Sequence, residues 1–272
     1  MANDLQWSGA GDPGRRLGRT VEFHPTIGST NDRAWELLGQ GDEGTAVVAD
    51  LQTAGRGRRG RTWSSPPGVN LMVSVGIRPN IPAADAWLLG AATALAVLDA
   101  CASELRPADR EELALKWPND VVDSRGRKLA GLLLETAITQ DRVSEAVLGA
   151  GMNVNWPRTE MPAELADRAT SLVDMSAVRV DRVALLQRYL AALAREISGL
   201  EAGYSPVERY QSASWLTGRD VSVSAGERVV SGRARGMAAD GSLEIETPEG
   251  MIGIAYGEVV HVNVDQAPVL TQ

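Results

Sequence analysis

Short apolar runs alternate with amphipathic stretches over the first 200 residues of the chain. Apolar positions at three- and four-residue spacing predict helices from about Ala34 to Leu38 and from Leu186 to Leu200, the second beginning near Asp181. Ile81–Cys101 is also predicted to be helical, with Pro82 near its first turn. The predicted strands are Thr20–His24, Thr45–Ala49, Val69–Ile77, Leu113–Trp117, Lys128–Ile138 and Ser144–Val154.

The pattern changes after Trp215, where short β-runs are separated by turns that contain glycine. These runs are Asp220–Ser224, Arg228–Arg235, Ser242–Glu246 and Met251–Ala255. They predict a small antiparallel barrel, with a domain boundary near Leu216–Gly218. We therefore expect a disordered N-terminal tail over residues 1–19, a main domain over 20–216 and a C-terminal domain over 217–272, with an irregular loop at Trp156–Val180.

Composition narrows the possible chemistry. The net charge is −8, which makes the whole surface a poor match for nucleic acid. One cysteine, Cys101, and two histidines, His24 and His261, make a zinc site or a Ser-His-Asp triad an improbable basis for function. The lone cysteine favours a reducing, cytosolic setting, and the sequence shows neither a signal peptide nor a stretch of membrane-spanning length.

Lysine is rare in this chain. Of 27 basic residues only Lys116 and Lys128 are lysines, and they lie twelve residues apart. Genome composition with two chance survivors explains this as well as selection does. The functional interpretation is that these positions need a compact ammonium where a planar guanidinium does not fit.

A run of arginine and glycine, Gly55–Arg61 (GRGRRGR), lies between the second and third predicted strands, with Gln52 before it and Trp63 after it. Glycine costs ordering entropy and neighbouring arginines repel, so the run is not the interior of a helix or strand. It is a solvated basic loop, an RNA-binding segment, or a mobile cover whose arginines pair with carboxylate or phosphate. Buried strands anchor both of its ends, which favours the cover.

Each of the two lysines lies in a short segment with a recognisable pattern. Lys116–Asp120 (KWPND) follows a predicted strand, and its Pro-Asn-Asp is typical of a tight turn. Gly126–Gly131 (GRKLAG) enters the next strand. The first is an ordinary strand-ending turn when taken alone. A lysine at the start of a buried strand, beside small residues that let a ligand approach the backbone, indicates a binding site.

Two further segments combine glycine with hydrogen-bonding side chains. Gly149–Asn155 (GAGMNVN) interrupts an apolar strand with glycines and then amides, which suits a planar ring against the backbone. Gly28–Asn31 (GSTN) precedes the first predicted helix, where Ser29 or Thr30 is an ordinary cap or part of a ligand site. Neither pattern is specific on its own.

In this order, the five segments resemble the motifs of the biotin–protein ligase family, from about residue 20 to the end of the chain. The matching motifs are Ser29–Asn31, Gly55–Arg61 with Gln52 and Trp63, Lys116–Asp120, Lys128–Gly131 and Gly151–Asn153. The resemblance implies an α+β fold with a mixed sheet flanked by helices, related to class II aminoacyl-tRNA synthetases, and a small C-terminal SH3-like β-barrel. It is closest to the monofunctional type, because about nineteen residues before Thr20 cannot form a winged helix-turn-helix.

The resemblance also implies roles for individual residues. Lys128 and Arg58 are the implied catalytic residues, and no resident metal ligand is implied. The implied biotin-binding residues are Ser29, Thr30, Asn31, Gln52, Gly55, Arg56, Gly57, Arg58, Trp63, Lys128 and Gly131. The implied ATP-binding residues are Arg61, Asn119, Asp120 and Asn153.

The implied reaction activates biotin with ATP to biotinyl-5′-AMP and transfers it to a lysine of the biotin carboxyl carrier domain of an acyl-CoA carboxylase. Biotin, ATP and Mg²⁺ on the triphosphate are the expected ligands. We expect a cytoplasmic monomer or weak ligand-dependent dimer, without a nucleic-acid or membrane partner. Attack of the biotin carboxylate on the α-phosphate brings two anions together, so fixed cations must offset their repulsion.

The sequence departs from the family in two places. Arg158–Val180 contains no aromatic residue, whereas some members cover adenine with one there, and Val259–Gln272 has no equivalent of a C-terminal arginine that some relatives use near ATP. A lipoate–protein ligase shares the fold and chemistry but lacks the GRGRRGR run and the KWPND turn. A nucleic-acid-binding module that uses the arginine run is the rival from another class, and the acidic balance disfavours it.

Overall fold

The computed structural model describes Trp7 and residues 9–263, which form two β-sheets. The first sheet has the order β1-β2-β3-β7-β6-β5-β4. Its outermost pair, β1 and β2, runs parallel and the other neighbours run antiparallel, so the sheet is mixed as predicted. The strands are β1 (Val21–His24), β2 (Ala46–Ala49), β3 (Leu71–Ile77), β4 (Leu113–Lys116), β5 (Asp120–Asp123), β6 (Lys128–Thr139) and β7 (Arg142–Met152).

Helices cover this sheet, which gives the α+β arrangement that the resemblance implies. The two long helices, α2 and α5, pack against each other, and α2 also packs on β6 and β7. The Asp181 carboxylate accepts hydrogen bonds from the first turn of α5 and sets its start where the sequence predicts it. The helices are α1 (Thr30–Gly39), α2 (Ala86–Ser103), α3 (Ala163–Ala166), α4 (Leu172–Ser176), α5 (Arg182–Glu201) and α6 (Val207–Ser212).

Helix α2 begins later than its sequence predicts. A 3-10 turn, Ala83–Asp85, separates Pro82 from the helix, so the α-helical part starts at Ala86. The sequence was expected to contain no stretch of membrane-spanning length, but Ala83–Ser103 is long and apolar enough to cross a membrane. In this fold ten of the residues of α2 are buried, which is the environment of a core helix.

The second sheet is antiparallel, with the order β11-β10-β9-β8-β12. Its strands are β8 (Asp220–Ala225), β9 (Arg228–Met237), β10 (Leu243–Thr247), β11 (Gly250–Ile254) and β12 (Glu258–Val262). Four of these correspond to the predicted β-runs. Strand β12, and β5 in the first sheet, were not predicted because each is short and has only two consecutive valines between polar or charged residues.

The N-terminal segment differs from its predicted disorder. Trp7 is buried, its ring stacks on Phe23 with centroids 5.5 Å apart, and Leu17 is fully buried. The Gly18 N–H also donates to the Gly44 carbonyl at 2.7 Å. Burial of one aromatic and one aliphatic side chain therefore fixes a segment whose composition favours disorder. Residues 1–6 and 8 of the predicted tail lie outside the described residues.

Short helices also organise the predicted loop at residues 156–180. It contains a 3-10 turn, Arg158–Glu160, followed by α3 and α4. Ser171 caps α4 by accepting a hydrogen bond from the Asp174 N–H. The absence of a helical period in the sequence is explained by the length of α3 and α4, four and five residues, which is too short for one.

Candidate active site

All five sequence segments line one cleft of about 640 Å³ on the mixed sheet. Gly55 is the exception among the predicted residues, because it forms the base of a hairpin instead: a Cβ there would lie 2.5 Å from the Trp63 carbonyl oxygen. The predicted residues that line the cleft are Ser29, Thr30, Asn31, Gln52, Arg56, Gly57, Arg58, Arg61, Trp63, Asn119, Asp120, Lys128, Gly131 and Asn153.

One end of the cleft is a network of polar side chains around Ser74, in which Thr30, Asn31 and Ser74 are buried and Gln52 and the Glu135 carboxylate are half-buried. The Ser74 hydroxyl oxygen lies 2.7 Å from Thr30 Oγ1 and 2.6 Å from Asn31 Oδ1. Gln52 Oε1 accepts from the Thr30 N–H at 2.8 Å, and Asn31 Nδ2 donates to the Glu135 carboxylate at 2.7 Å. We call these five residues the buried polar end. Their mutual hydrogen bonds fix their orientation before any ligand arrives.

Ser29 precedes this network as the N-cap of α1. Its side chain makes no capping hydrogen bond, so the ordinary capping role considered from the sequence is absent. Ser29 is nearly fully buried and lines the cleft. Sequence reasoning missed Ser74 and Glu135, because a single serine in an apolar strand and a glutamate far along β6 give no local signal.

The arginine and glycine run folds as a small hairpin, in which Arg56, Arg59 and Arg61 are exposed to solvent. Arg56 pairs with Thr62 across it, and the Gly57 N–H donates to the Arg61 carbonyl at 2.7 Å. Arg56 makes two hydrogen bonds to the Asp32 carboxylate, at 2.6 and 2.8 Å. These hydrogen bonds lower the pKa of Asp32 below its usual range. The run is thus tied to α1 by an ion pair.

Other arginines of the hairpin reach further elements. Arg58 Nη1 lies 3.4 Å from Asn119 Oδ1, and burial lowers the pKa of the Arg58 guanidinium. Arg61 forms an ion pair with Glu258 of β12, and Arg59 Nη1 lies 3.8 Å from the same carboxylate. The hydrogen bond from Arg61 lowers the pKa of Glu258. The second sheet therefore contributes a carboxylate that holds the hairpin, and the sequence had not indicated it.

Lys128, the first residue of β6, extends into the cleft between a carboxylate and a ring. Its Nζ lies 2.7 Å from Asp120 Oδ1 and 5.6 Å from the centroid of the Trp63 ring. A Cβ at Gly131 would lie 2.6 Å from the Lys128 Nζ, and one at Gly151 would lie 2.7 Å from the Trp63 ring. The glycines therefore make room for Lys128 and Trp63 as well as for a ligand.

The backbone of Lys128 is fixed by the segment between α3 and α4. Its N–H donates to the Arg168 carbonyl at 2.8 Å, and its carbonyl accepts from the Thr170 N–H at 2.9 Å. Asn153 Nδ2 donates to the same carbonyl at 3.3 Å, and Asn70 orients Asn153 by donating to its Oδ1 at 3.1 Å. The segment without an aromatic residue thus lines the cleft through Leu165, Asp167, Arg168 and Ala169.

Lys116 also lines the cleft, although the sequence analysis treated its segment as an ordinary turn when taken alone. It is the last residue of β4, and its Nζ lies 5.5 Å from the centroid of the Trp215 ring. We call Arg58, Arg61, Lys116, Lys128 and Arg168 the cationic end of the cleft. This cluster can bind two anions close together, and it lies in a chain of net charge −8.

A resident metal centre is not built into this cleft. Among Trp7 and residues 9–263, no group of three or more His, Cys, Asp or Glu side chains is arranged to hold a metal ion. The carboxylates near the cations are engaged instead, Asp120 by Lys128 and Glu258 by Arg61. Ammonium and guanidinium groups therefore outnumber the carboxylates of the cleft, which are Asp120, Asp167 and Glu258.

Comparison with known proteins agrees with this geometry. Residues 23–153 match the model of the biotin/lipoate A/B protein ligase family, and residues 217–262 match that of the biotin protein ligase C terminal domain. The chain is 37% identical to the biotin--[acetyl-CoA-carboxylase] ligase of Mycobacterium tuberculosis, over 94% of this chain and 93% of that protein. It is 33% identical to the bifunctional ligase/repressor BirA of Bacillus subtilis, over 89% of this chain and 74% of that protein.

The fold is similar to that of solved ligases as well. The biotin protein ligase from Aquifex aeolicus in complex with biotin and ATP has a TM-score of 0.73 at 30% identity, covering 89% of this chain and 98% of that one. The α+β fold class and the family that the sequence motifs indicated are both confirmed. Two family models match the chain, and it is 37% identical to the Mycobacterium tuberculosis ligase over nearly the full length of both proteins. The chain therefore belongs to the biotin protein ligase family.

Proposed function

We propose that this chain activates biotin with ATP to biotinyl-5′-AMP and transfers the biotinyl group to a lysine of a biotin carboxyl carrier domain of an acyl-CoA carboxylase. The observation that carries the proposal is the cleft itself, where the buried polar end meets the cationic end. Biotin has the matching shape, with a hydrogen-bonding ureido ring at one end and a carboxylate at the other. The ring would pair with the side chains around Ser74, and the carboxylate would lie near Lys128.

Adenylation requires a biotin carboxylate oxygen to attack the α-phosphorus of ATP while the bond to pyrophosphate breaks. The two reacting groups are both anionic, so their approach needs a preorganised cation. Lys128 supplies one, since Gly131 gives its ammonium space and Asp120 holds it at 2.7 Å. Arg58, which lines the cleft beside Asn119, supplies a second. We propose both as the catalytic residues of this step.

The remaining predicted residues divide between the two substrates. Ser29, Thr30, Asn31 and Gln52 would bind the ureido ring, and Trp63 and Gly131 would form the wall beside the chain of biotin. Gly55, Arg56 and Gly57 would position the hairpin as a cover, because hydrolysis would destroy the mixed anhydride if water entered. Arg61, Asn119, Asp120 and Asn153 would lie on the ATP side.

ATP would carry Mg²⁺ into the cleft. Mg²⁺ is usually held by substrate phosphates and one or two carboxylates rather than by an all-protein cage, which fits the donor set found here. There it would offset charge on the triphosphate. We further propose a cytoplasmic enzyme, a monomer or a weak ligand-dependent dimer, without a nucleic-acid or membrane partner. The lone, buried Cys101 and the net charge of −8 support these proposals.

The test is ATP–pyrophosphate exchange measured with biotin and with lipoate. We expect exchange that depends on biotin, is negligible with lipoate, and is lost in Lys128→Met. Arg106→Gln is the matched control, because Arg106 is an exposed cation whose partner is the nearby Asp109. Equal exchange with lipoate would instead support the lipoate–protein ligase reaction, and no exchange with either acid would reject the proposal.

A further inference from the structure

Lys116 differs from Lys128 in having no partner carboxylate. Among the described residues, no Asp or Glu oxygen lies within 4.0 Å of the Lys116 Nζ, whereas Lys128 is paired with Asp120 at 2.7 Å. Lys116 is nevertheless largely buried, and it faces the Trp215 ring on one side and the cleft on the other. An ammonium that is desolvated without an ion pair has lost its main stabilisation.

Charged groups reach Lys116 from four elements around it. Asp120 of β5 lies opposite it in the strand register, and Glu258 belongs to β12. Burial is the largest influence on the pKa of the Lys116 ammonium and lowers it below its ordinary value. The two carboxylates raise this pKa, and the positive charges of Lys128 in β6 and of Arg168 before α4 lower it. The neutral amine is therefore populated at lower pH than in a solvated lysine.

Transfer of the biotinyl group from AMP to the acceptor lysine needs a group that can accept a proton. The acceptor lysine must attack as a neutral amine, and its nitrogen must give up a further proton as it becomes an amide. The general base for such a step works best when its pKa lies near the working pH, and burial can bring a lysine there. Both histidines of the chain lie outside the residues that line the cleft.

We infer that Lys116 is the proton acceptor of the transfer half-reaction, an inference that rests on the proposed function. The acceptor nitrogen forms a bond to the biotinyl carbonyl carbon, and the bond from that carbon to the AMP phosphate oxygen breaks. AMP leaves with the electron pair. The proton of the attacking nitrogen passes to the neutral Nζ of Lys116, which returns it to water after the products leave.

Other groups in the cleft are less suited to this step. Asp120 and Lys128 are already paired with each other, with Lys128 Nζ 2.7 Å from Asp120 Oδ1. Arginine does not lose its proton in proteins. Lys116 is thus the cleft residue that combines an accessible nitrogen, burial and freedom from an ion pair.

The experiment separates the two half-reactions in Lys116→Arg, which keeps the positive charge and the contact with Trp215 but cannot accept a proton. Transfer is measured as a single turnover from preformed enzyme-bound biotinyl-AMP to a purified biotin carboxyl carrier domain. We expect it to fall at least about a hundredfold, and ATP–pyrophosphate exchange to fall far less. The rate of transfer by the wild type should rise as the pH increases through the lowered pKa of Lys116. Lys116→Arg should not show this pH-dependent rise.

Hydroxylamine distinguishes a base from a structural role. It is neutral at physiological pH and strongly nucleophilic, so its reaction with enzyme-bound biotinyl-AMP needs little help from a base. We expect Lys116→Arg and wild type to react with hydroxylamine at rates within tenfold of each other. A distorted site would slow the reaction with the carrier domain and the reaction with hydroxylamine alike.

Two outcomes would overturn the inference. The first is Lys116→Arg transfer to the carrier domain within tenfold of wild type. The second is an equal loss in exchange, transfer and the hydroxylamine reaction, since that pattern belongs to structure or fixed charge. Absence of biotin-dependent exchange in the wild type would instead reject the proposed function, so the two failures are distinguishable.

Discussion

The two ends of the cleft are built in opposite ways. At the buried polar end, Thr30, Asn31 and Ser74 are at most 5% exposed and hydrogen-bond within a network carried by α1 and the sheet. At the cationic end, the Arg61 side chain is 64% exposed and is held by an ion pair to the second sheet. The polar network is therefore preformed in the fold, whereas part of the cationic end is held by exposed ion pairs between a hairpin and the second sheet.

The difference has an energetic consequence. Leaving a buried hydrogen-bonding group without its partner costs about 1–3 kcal/mol, whereas an exposed ion pair contributes about 0–1 kcal/mol. Substitutions at the buried polar end should weaken biotin binding strongly. Substitutions of the exposed ion pairs at the cationic end should act weakly, unless the cation meets the reacting groups, as Lys128 is proposed to do.

The largest effect is expected for Lys128→Arg. A guanidinium is longer and planar, and the space beside Gly131 and Trp63 is already filled by an ammonium, so the charge should be misplaced. We expect a loss of roughly 3–4 kcal/mol, or two to three decades, in single-turnover formation of biotinyl-AMP. Lys116→Arg is the control and should be milder in this half-reaction. A folded Lys128→Arg protein within tenfold of wild type would remove Lys128 from catalysis.

Ser74→Ala should have the next largest effect. It removes the hydroxyl that links Thr30 to Asn31 and leaves the buried Asn31 Oδ1 without that donor, whereas Thr30 Oγ1 keeps Gln52 at 3.0 Å. We expect the KM for biotin in the exchange assay to rise about five- to a hundredfold, from the cost of about 1–3 kcal/mol. Ser222→Ala is the control, because Ser222 lies in the second sheet with an exposed partner, Ser231. An unchanged KM in Ser74→Ala would show that this network does not position biotin.

Gly131→Ala should displace Lys128 without changing its chemistry. The added Cβ would lie 2.6 Å from the Lys128 Nζ, too close for both to stay in place. The ammonium is the end of a flexible side chain and should move away from its position beside Asp120, so we expect adenylation to slow about tenfold or more. Gly253→Ala, where the nearest atom is the Ser242 Cβ at 3.6 Å, should be neutral. Equal rates in the two variants would mean that the placement of Lys128 tolerates crowding.

The arginine hairpin should be protected by ligand. Its glycines raise the cost of ordering, on the order of 1 kcal/mol per residue, which ligand contacts would offset. We expect trypsin to cut at residues 56–61 in the free protein and about tenfold more slowly with biotin and ATP. The same cutting rate in both states would contradict a cover that closes over the cleft.

The smallest effect is expected for Glu258→Gln. This change removes the carboxylate that pairs with Arg61 and Arg59, an interaction worth about 0–1 kcal/mol at this exposure. Trypsin should therefore cut the hairpin of the free variant up to about fivefold faster. Glu246→Gln, which breaks an ion pair with Arg235 within the second sheet, should leave the rate unchanged. A larger effect of Glu246→Gln would indicate a general loosening of that sheet.

The sequence predicted the residues that line the cleft better than the residues that hold them in position. Fourteen of the motif residues converge because each lies in a segment with its own local signal. Ser74 and Glu258 gave none, since their roles depend on pairing with residues 43 and 197 positions away. The same is true of Trp7, which is buried against Phe23 and Arg182. Long-range register and packing therefore account for what the sequence analysis missed.

Lys116 shows a second kind of limit. Its segment had the local pattern of a strand-ending turn, and a turn does form between β4 and β5. Its exposure to the cleft and its lack of a carboxylate partner depend on Trp215, Lys128 and Asp120, which lie in other elements. Burial and ionisation are properties of the assembled site, so a local pattern does not contain them.

The most direct test of a preformed buried polar end is calorimetric titration of the protein with biotin and with lipoate, without ATP. Biotin should bind one site per chain, because the hydrogen-bonding partners of its ureido ring are already in place around Ser74. Lipoate has no ureido group and would leave those buried groups unpaired, so it should bind too weakly to detect. Binding of lipoate as tight as that of biotin, or of biotin only when ATP is present, would contradict the account.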